Sequence, residues 1–481
     1  TKGKSIFLQA PTGSGKTEAV LIPFLELKGK NLPNKLIYSL PLRVLVEDIG
    51  ERALKYGEKA GATLSIHHGG RSEDPLFRRD VIVTTIDQTV GAYACTPLSF
   101  SSKHGSIPAG AVATSFLVFD EIQLLDPELG LQAALMLAKH SLETDFPFVI
   151  MSATLPRKFV DRFCDEVSSI GQIEAVEAKE EEIPSRLNRK VKLTYKKEKL
   201  KPEDPKDIED LFLHYFEKII VICNTVDRAQ KLFRNLKVKD KILLHSRFLE
   251  KDRKDIESKL REIFGKNGKG KGILVTTQVI EAGMDLSAPL MLSEIAPADS
   301  LVQRAGRCAR WGGEGEFWIY EVEEERPYSK DLIEKTRRAL KVLDGYLLTW
   351  EREKTFVEKV LEDHVQEKWL SNDARASVIS KLSEASFTGD RIWASRAVRD
   401  EFQCEISLHR DPNSLGKDIV RLERIKVPFW LFKHWAGKYQ LQIWEVKERN
   451  IIDDETEIRW QADSVADPED LLPFKYYIVS P

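Results

Sequence analysis

The chain has 481 residues, 42 % of them hydrophobic and 31 % charged. At roughly 100–200 residues per domain, this length predicts about three domains, each able to bury a core. No apolar run reaches the ~18 residues of a membrane-spanning helix, so disordered, fibrous and membrane-embedded classes are excluded and no membrane partner is expected. The net charge of −3 offers a polyanion no global attraction. The chain is mildly basic up to about residue 320 and acidic beyond it, so any polyanion site must be a local groove. Five scattered cysteines without a Cys-x-x-Cys pair suit a reducing, cytoplasmic setting and exclude a zinc ribbon or disulfide scaffold. No secretory or transit signal is legible.

In chain order, Ile6–Ala10, Leu36–Leu40, Val81–Thr84, Phe116–Phe119 and Phe148–Met151 read as buried strands. Helical stretches such as Arg43–Lys59 and Glu128–Lys139 separate them. Such alternation predicts a mostly parallel sheet with helices on both faces. The acidic stretch Glu177–Pro184 reads as a linker. The pattern then restarts with strands at Lys218–Cys223, Ile242–His245, Ile273–Thr276 and Glu316–Tyr320. A second charged break, Glu321–Arg326, precedes helical periodicity over Lys330–Trp350 and Thr355–Leu370. From about Asp400 the texture becomes strand-like, as in Val427–Leu431 and Tyr439–Val446. The expected fold class is α/β: two tandem parallel-sheet units over 1–186 and 187–325, then a C-terminal α+β accessory domain over 326–481. Seven of the nine tryptophans lie beyond residue 330, where core and interface packing is the ordinary use and base stacking the alternative.

The residues that carry chemistry sit at the ends of these strands. Ala10-Pro-Thr12-Gly13-Ser14-Gly15-Lys16-Thr17 follows a strand and opens a helix, as a phosphate-binding loop does. Gly13 and Gly15 permit the tight nest whose backbone N–H groups face phosphate oxygens, and the helix N-terminus adds its positive end. Lys16 supplies charge to β- and γ-phosphates, and Thr17 offers a hydroxyl to Mg²⁺. Asp120-Glu121 ends the apolar strand Phe116–Phe119. In a parallel sheet ligands gather at such carboxyl ends, which gives Asp120 to Mg²⁺, partly through water, and Glu121 to the attacking water. Ser152-Ala-Thr154 follows another strand, where small hydroxyls can relay a change at the γ-phosphate. In Gln303–Arg310, helical spacing would line up Gln303, Arg307 and Arg310 on one stripe with no nearby acid, suited to a transition-state phosphate. Val275–Asp285 runs from a strand through a hydroxyl-rich turn, with Thr276 and Thr277 placed for phosphates and Asp285 for a sugar hydroxyl.

Taken together, and in this order, these pieces resemble the motifs of superfamily 2 helicases over residues 1–325. Ala10–Thr17 resembles motif I, Pro41-Leu-Arg43 motif Ia, Thr84-Thr85-Ile-Asp87 motif Ib, and Asp120-Glu-Ile-Gln123 motif II. Ser152-Ala-Thr154 resembles motif III, Val221–Thr225 motif IV, Thr276–Asp285 motif V and Gln303–Arg310 motif VI. Leu244-His-Ser-Arg247-Phe248 and the motif VI octapeptide resemble the signature helicase of type I CRISPR systems. The resemblance implies two RecA-like domains, ATP and Mg²⁺ as cofactors, and translocation on single-stranded DNA opened by a CRISPR surveillance complex. It implies an ATP site built from Ala10, Thr12, Gly13, Ser14, Gly15, Lys16, Thr17, Gln303 and Asp285, with Lys16, Asp120, Glu121, Arg307 and Arg310 catalytic. Arg43, Thr84, Thr85, Arg247 and Thr276 are the implied nucleic-acid contacts, placed in turns after strands. Gln123, Ser152 and Thr154 are the implied coupling residues.

Motif II ends in Gln123 where many relatives have His, a departure that touches coupling and leaves the carboxylates intact. The resemblance implies an adenine-recognising glutamine motif upstream of Ile6, the alternative being that adenine is read another way. The family's metal-dependent HD nuclease requires a His-Asp dipeptide, and none of the nine histidines is followed by Asp. A nuclease partner on another chain or segment is therefore expected, while His67-His68 reads as a loop pair, ordinarily packed, with proximity to the nucleic acid as the alternative. A general DNA-repair or RNA helicase of the same superfamily, or an ATP-switched scaffold, stays open as an alternative.

Overall fold

The computed structural model describes residues 4–69, 71–99, 102–281, 283–364, 369–399, 403–415, 419, 422–439, 441–451, 457–472 and 475–480. Its elements group into two compact units. The first holds residues 1–243 and 260–398, and the second residues 244–259 and 399–481.

The first sheet contains β1 (Ser5–Gln9), β2 (Leu36–Leu40), β3 (Leu64–His68), β4 (Arg71–Ser72), β5 (Val81–Thr85), β6 (Phe116–Phe119), β7 (Phe148–Ser152) and β8 (Ile173–Glu177). Their order is β4-β3-β5-β2-β6-β7-β1-β8. All pairs are parallel apart from the β3–β4 hairpin. The central strands are buried on both faces, which is why they read as unbroken apolar runs. Helices Lys16–Leu27 and Arg43–Ala60 cover one face, where Val20, Phe24, Tyr38, Val46, Ile66, Val118 and Met151 share a core. β8 had no such signature, because it is an edge strand with four of its five residues exposed.

A short turn at Glu180–Glu182 and a helix Pro184–Leu187 occupy the expected linker. The second sheet contains β9 (Arg189–Lys199), β10 (Lys218–Ile222), β11 (Lys241–Leu244), β12 (Gly272–Thr276), β13 (Leu290–Glu294) and β14 (Gly313–Glu321), in the order β11-β12-β10-β13-β14-β9. The β10–β12, β10–β13, β13–β14 and β14–β9 pairs are parallel. β9 was not expected. Its lysines alternate with Val191 and Leu193, which are buried, and lysines on an edge strand also discourage pairing with foreign strands. β13 is a short apolar run bounded by prolines, which length alone does not separate from a buried loop.

Helices Lys330–Leu343, Trp350–His364, Asn372–Thr388 and Arg391–Arg396 belong to the same unit as both sheets. The Gln132 amide, for example, donates to the Trp369 carbonyl at 2.7 Å. The break at residue 326 thus marks a change of texture within one compact unit. The second unit has a five-stranded sheet of β15 (Gln403–Leu408), β16 (Ile425–Pro428), β17 (Gln442–Ile451), β18 (Glu457–Val465) and β19 (Tyr476–Ser480), ordered β16-β15-β19-β17-β18. Of the expected strands, Tyr439–Val446 falls largely in β17, whereas Val427–Leu431 is corrected, since β16 ends at Pro428. Phe429–Tyr439 is a helix, whose Phe432 and Ala436, four residues apart, are buried against Ile406, Tyr477 and Val479. No helix among the described residues is long and apolar enough to cross a membrane.

Candidate active site

In the first unit, the loop after β1 and the turn after β6 meet the loops that follow β12 and precede β14. They line a cleft of about 260 Å³ whose walls include Thr12, Gly13, Gly15, Lys16, Thr17, Asp120, Glu121, Asp285, Arg307 and Arg310. Gly13 and Gly15 have φ of 79° and 89°, the left-handed region that glycine adopts without strain. Lys16, the first residue of its helix, is buried. Its Nζ donates to the Ala10 carbonyl at 3.1 Å and lies 3.3 Å from Glu121 Oε1. Asp120 accepts the Tyr38 hydroxyl on Oδ2 at 2.7 Å and the Glu121 N–H on Oδ1 at 2.8 Å. Burial and the neighbouring Glu121 charge push Asp120 up, to about 6. Burial pushes Glu121 the same way, but Lys16, Gln123 and Arg307 outweigh it and hold this carboxylate below its ordinary value.

Glu121 itself has φ of 53°, an uncommon conformation for a side-chain-bearing residue and one found at functional turns. The Gln123 amide donates to Glu121 Oε2. Gln123 Oε1 accepts the Ser152 hydroxyl at 2.6 Å, and Ser152 Oγ accepts the Thr154 N–H at 3.1 Å. The three residues expected to couple the cleft to its surroundings therefore form one hydrogen-bonded chain starting at Glu121.

The arginine segment departs from expectation. The helix Ala298–Ala305 ends before Arg307, and the chain turns through Gly306 and through Ala309 at φ 44°. No helical stripe carries Gln303, Arg307 and Arg310. Gly306 makes the turn possible beside the phosphate-binding loop, because a Cβ there would stand 2.6 Å from Thr12 Oγ1. Arg307 donates to the carbonyls of Ile280 at 3.1 Å and Glu281 at 3.0 Å. Burial, aided by the charge of Arg310, lowers its pKa to about 9. The expectation of no nearby acid is also corrected: Arg310 Nη2 bonds Asp285 Oδ1 at 2.6 Å, so Asp285 is engaged by an arginine. The Arg310 guanidinium stands over Gly13, 3.8 Å from where a Cβ would be. Gln303 is buried with neither amide atom hydrogen-bonded.

The nucleic-acid candidates are less uniform. Thr84 and Thr85 close β5 and Thr276 closes β12, and all three side chains are buried, not set in open turns. Thr84 is satisfied by the His67 carbonyl at 2.7 Å, while Thr276 Oγ1 lies 3.5 Å from the Thr277 carbonyl. β5 runs one residue beyond the expected Val81–Thr84, and β12 ends at Thr276 as expected. Arg43 begins its helix, and its guanidinium lies where a Cβ on Gly69 would fall. Arg247 lies in the second unit, with its N–H on His245 Nδ1 at 3.2 Å and His245 stacked on Phe248. His67 and His68 end β3 instead of forming a loop. His67 is buried beside Gln88, Ser99 and Phe77, and burial lowers it to about 4. His68 bonds Glu47 at 2.8 Å.

Several residues of the cleft escaped the sequence reading. Arg52 reaches Thr17 Oγ1 at 3.4 Å, Glu18 at 3.3 Å and Asp48 at 3.8 Å. Its available signal was the Asp48/Arg52 spacing of four on a helix face shared with Leu45 and Ile49. Tyr38 was a lone phenol in an apolar strand. Arg304 is fully buried and bonds Glu281, Asn224, Ser293, Glu294 and Tyr328, tying the strand ends of the second sheet beneath Arg307.

The residues present fit a magnesium nucleotide. The glycine nest, the buried Ser14 hydroxyl without a partner, and the Thr17 and Asp120 oxygens, which share the Tyr38 hydroxyl, form a phosphate and hard-cation donor set. Among the described residues no three His, Cys, Asp or Glu side chains gather as a metal cluster of their own.

Residues 1–163 match the DEAD/DEAH box helicase family, and residues 216–312 match the C-terminal family of the CRISPR-associated nuclease/helicase Cas3. The CRISPR-associated helicase Cas3 of Thermoproteus tenax is 28 % identical over 76 % of this chain and 65 % of its own length. The structure of T. fusca Cas3 with ATP superposes with a TM-score of 0.65 at 18 % identity, covering 90 % of this chain and 62 % of that one. A CRISPR RNA-guided surveillance complex in a pre-nicking state contains a chain similar at TM-score 0.62 and 18 % identity, covering all of this chain and 65 % of that one. At these identities the structural likeness establishes the fold. The chain spans about three fifths of the length of these relatives.

Proposed function

We propose that this chain, which is similar to superfamily 2 helicases of the Cas3 type, hydrolyses ATP in this cleft and uses the cycle to move along single-stranded DNA. The observation that carries the reading is the meeting of Lys16, Asp120, Glu121, Arg307 and Arg310 around one cleft between two parallel sheets. Lys16 and the loop N–H groups bind the β- and γ-phosphates. Thr17 and Asp120 would hold Mg²⁺, which neutralises phosphate charge when bound. Glu121, kept ionised by Lys16, orients the attacking water and takes its proton. Arg307 and Arg310 stabilise charge on the transferred phosphoryl group. The chain Glu121–Gln123–Ser152–Thr154 passes the state of that group to the carboxyl end of β7. The CRISPR setting and a nuclease acting on another chain or segment belong to the same proposal, supported by the relatives' identity.

The deciding measurement is ATP turnover with no polymer, with single-stranded DNA and with single-stranded RNA. Strong stimulation by DNA alone is expected. Stimulation by RNA alone would replace the substrate, and turnover indifferent to both would favour an ATP-switched scaffold. DNA affinity should also fall with salt, by a log–log slope of roughly −0.7 per phosphate neutralised. Arg43→Ala should flatten that slope by about one such contact and leave basal turnover near normal. An unchanged slope would take Arg43 off the strand's path.

A further inference from the structure

The metal-facing corner of the cleft has a buried support outside every motif identified above. Tyr38 lies in the middle of β2, fully buried within the core of the first sheet. Its strand neighbour is β6, in the register Tyr38↔Val118, so the phenol extends toward the carboxyl end where Asp120 stands. Its hydroxyl donates to Asp120 Oδ2 at 2.7 Å and lies 3.5 Å from Thr17 Oγ1. These are the two side chains assigned to Mg²⁺. They come from different elements, one from the strand end after β6 and one from the first turn of the helix after β1.

We propose that Tyr38 is a positioning residue for the divalent-metal corner of this site, its phenol holding the Asp120 carboxylate and the Thr17 hydroxyl in one orientation. The inference rests on the reading of the cleft as an ATPase site. A phenol has a single proton, and the 2.7 Å contact commits it to Asp120. The carboxylate is then fixed through both oxygens, Oδ2 by Tyr38 and Oδ1 by the Glu121 N–H. Each oxygen keeps lone-pair capacity for a metal-bound water. On the other side, the phenol oxygen lies 3.5 Å from Thr17 Oγ1, which also accepts Arg52 Nη2 at 3.4 Å. Outer partners of this kind set the orientation and basicity of the groups that hold a metal, and losing one typically weakens metal binding or activity by about tenfold or more.

The test is Tyr38→Phe, which keeps the ring and removes only the hydroxyl. Binding of a fluorescent ATP analogue is titrated with Mg²⁺ for wild type and variant, and thermal unfolding is recorded without nucleotide or metal. The Mg²⁺ concentration for half-maximal binding is expected to rise about tenfold, with metal-free nucleotide affinity within about twofold of wild type. An unchanged Mg²⁺ requirement overturns the proposal, and if unfolding shifts alone, the phenol is only a structural link. A wild type that binds nucleotide with no Mg²⁺ dependence overturns the ATPase reading and this inference together. The wild-type curve therefore separates failure of the site from failure of Tyr38.

Discussion

Arg307→Ala and Arg310→Ala should each lower kcat for ATP by about 10³-fold or more, the loss that follows removal of an arginine from a transferring phosphoryl group. The expectation rests on placement. Arg307 is buried on the Ile280 and Glu281 carbonyls and feels the Glu121 charge, and Arg310 stands over Gly13 while paired with Asp285. The Arg310 guanidinium stands beside the glycine loop, and Arg307 lines the same cleft. Lys16→Ala should weaken nucleotide binding and turnover together. Glu121→Gln should spare binding and cut kcat by about 10²–10⁴, the usual range for a general base. Steady-state turnover and equilibrium nucleotide binding, measured side by side, separate these outcomes. Near-normal kcat in both arginine variants would end their assignment.

Glu353→Ala is expected to destabilise the protein by about 3–5 kcal/mol, the cost of leaving buried charge without its partner. Glu353 is fully buried in the helix Trp350–His364, and its Oε1 accepts Arg186 Nη1 at 2.9 Å and Arg189 Nη1 at 3.5 Å. Both arginines are themselves buried. Arg189 also bonds the Cys308 carbonyl at 3.0 Å and the Ala305 carbonyl, satisfying acceptors at the end of the helix that leads into Arg307. Removing the carboxylate strands two guanidiniums and loosens the support of the segment that carries Arg307 and Arg310. Urea unfolding should show a lower midpoint with little change in slope, and kcat should fall without loss of nucleotide affinity. Unaltered stability would mean that water or another acid replaces Glu353.

The phosphate-binding loop and the acid pair were legible because their chemistry is local. A nest needs glycines at set positions, a P-loop lysine must sit where the helix starts, and strand-end carboxylates follow directly from an apolar run. The tandem α/β plan was legible for a similar reason, since strands buried on both faces leave continuous hydrophobic segments. β8 and β9 left no such trace, being edge strands with polar or charged residues facing water. The helix Phe429–Tyr439 was misread because a dense aromatic run carries no clear period, and only the sheet beneath it selects the buried residues.

The arginine segment shows where local reading stops. Its composition announced an anion site, yet the spacing argument assumed a helix that ends at Ala305. Whether Arg307 and Arg310 share a face depends on the turn at Gly306 and on carbonyls supplied by residues 280 and 281. The same holds for Thr84, Thr85 and Thr276, whose exposure is set by neighbouring strands, and for Tyr38, Arg52 and Glu353. Tyr38 meets Asp120, Arg52 meets Glu18 and Glu353 meets Arg186 across at least 34 positions of chain. A side chain's type is written in the sequence, but its partner across the fold, its loss of water and hence its charge state arise from packing, where burial and neighbouring charges outweigh intrinsic preference.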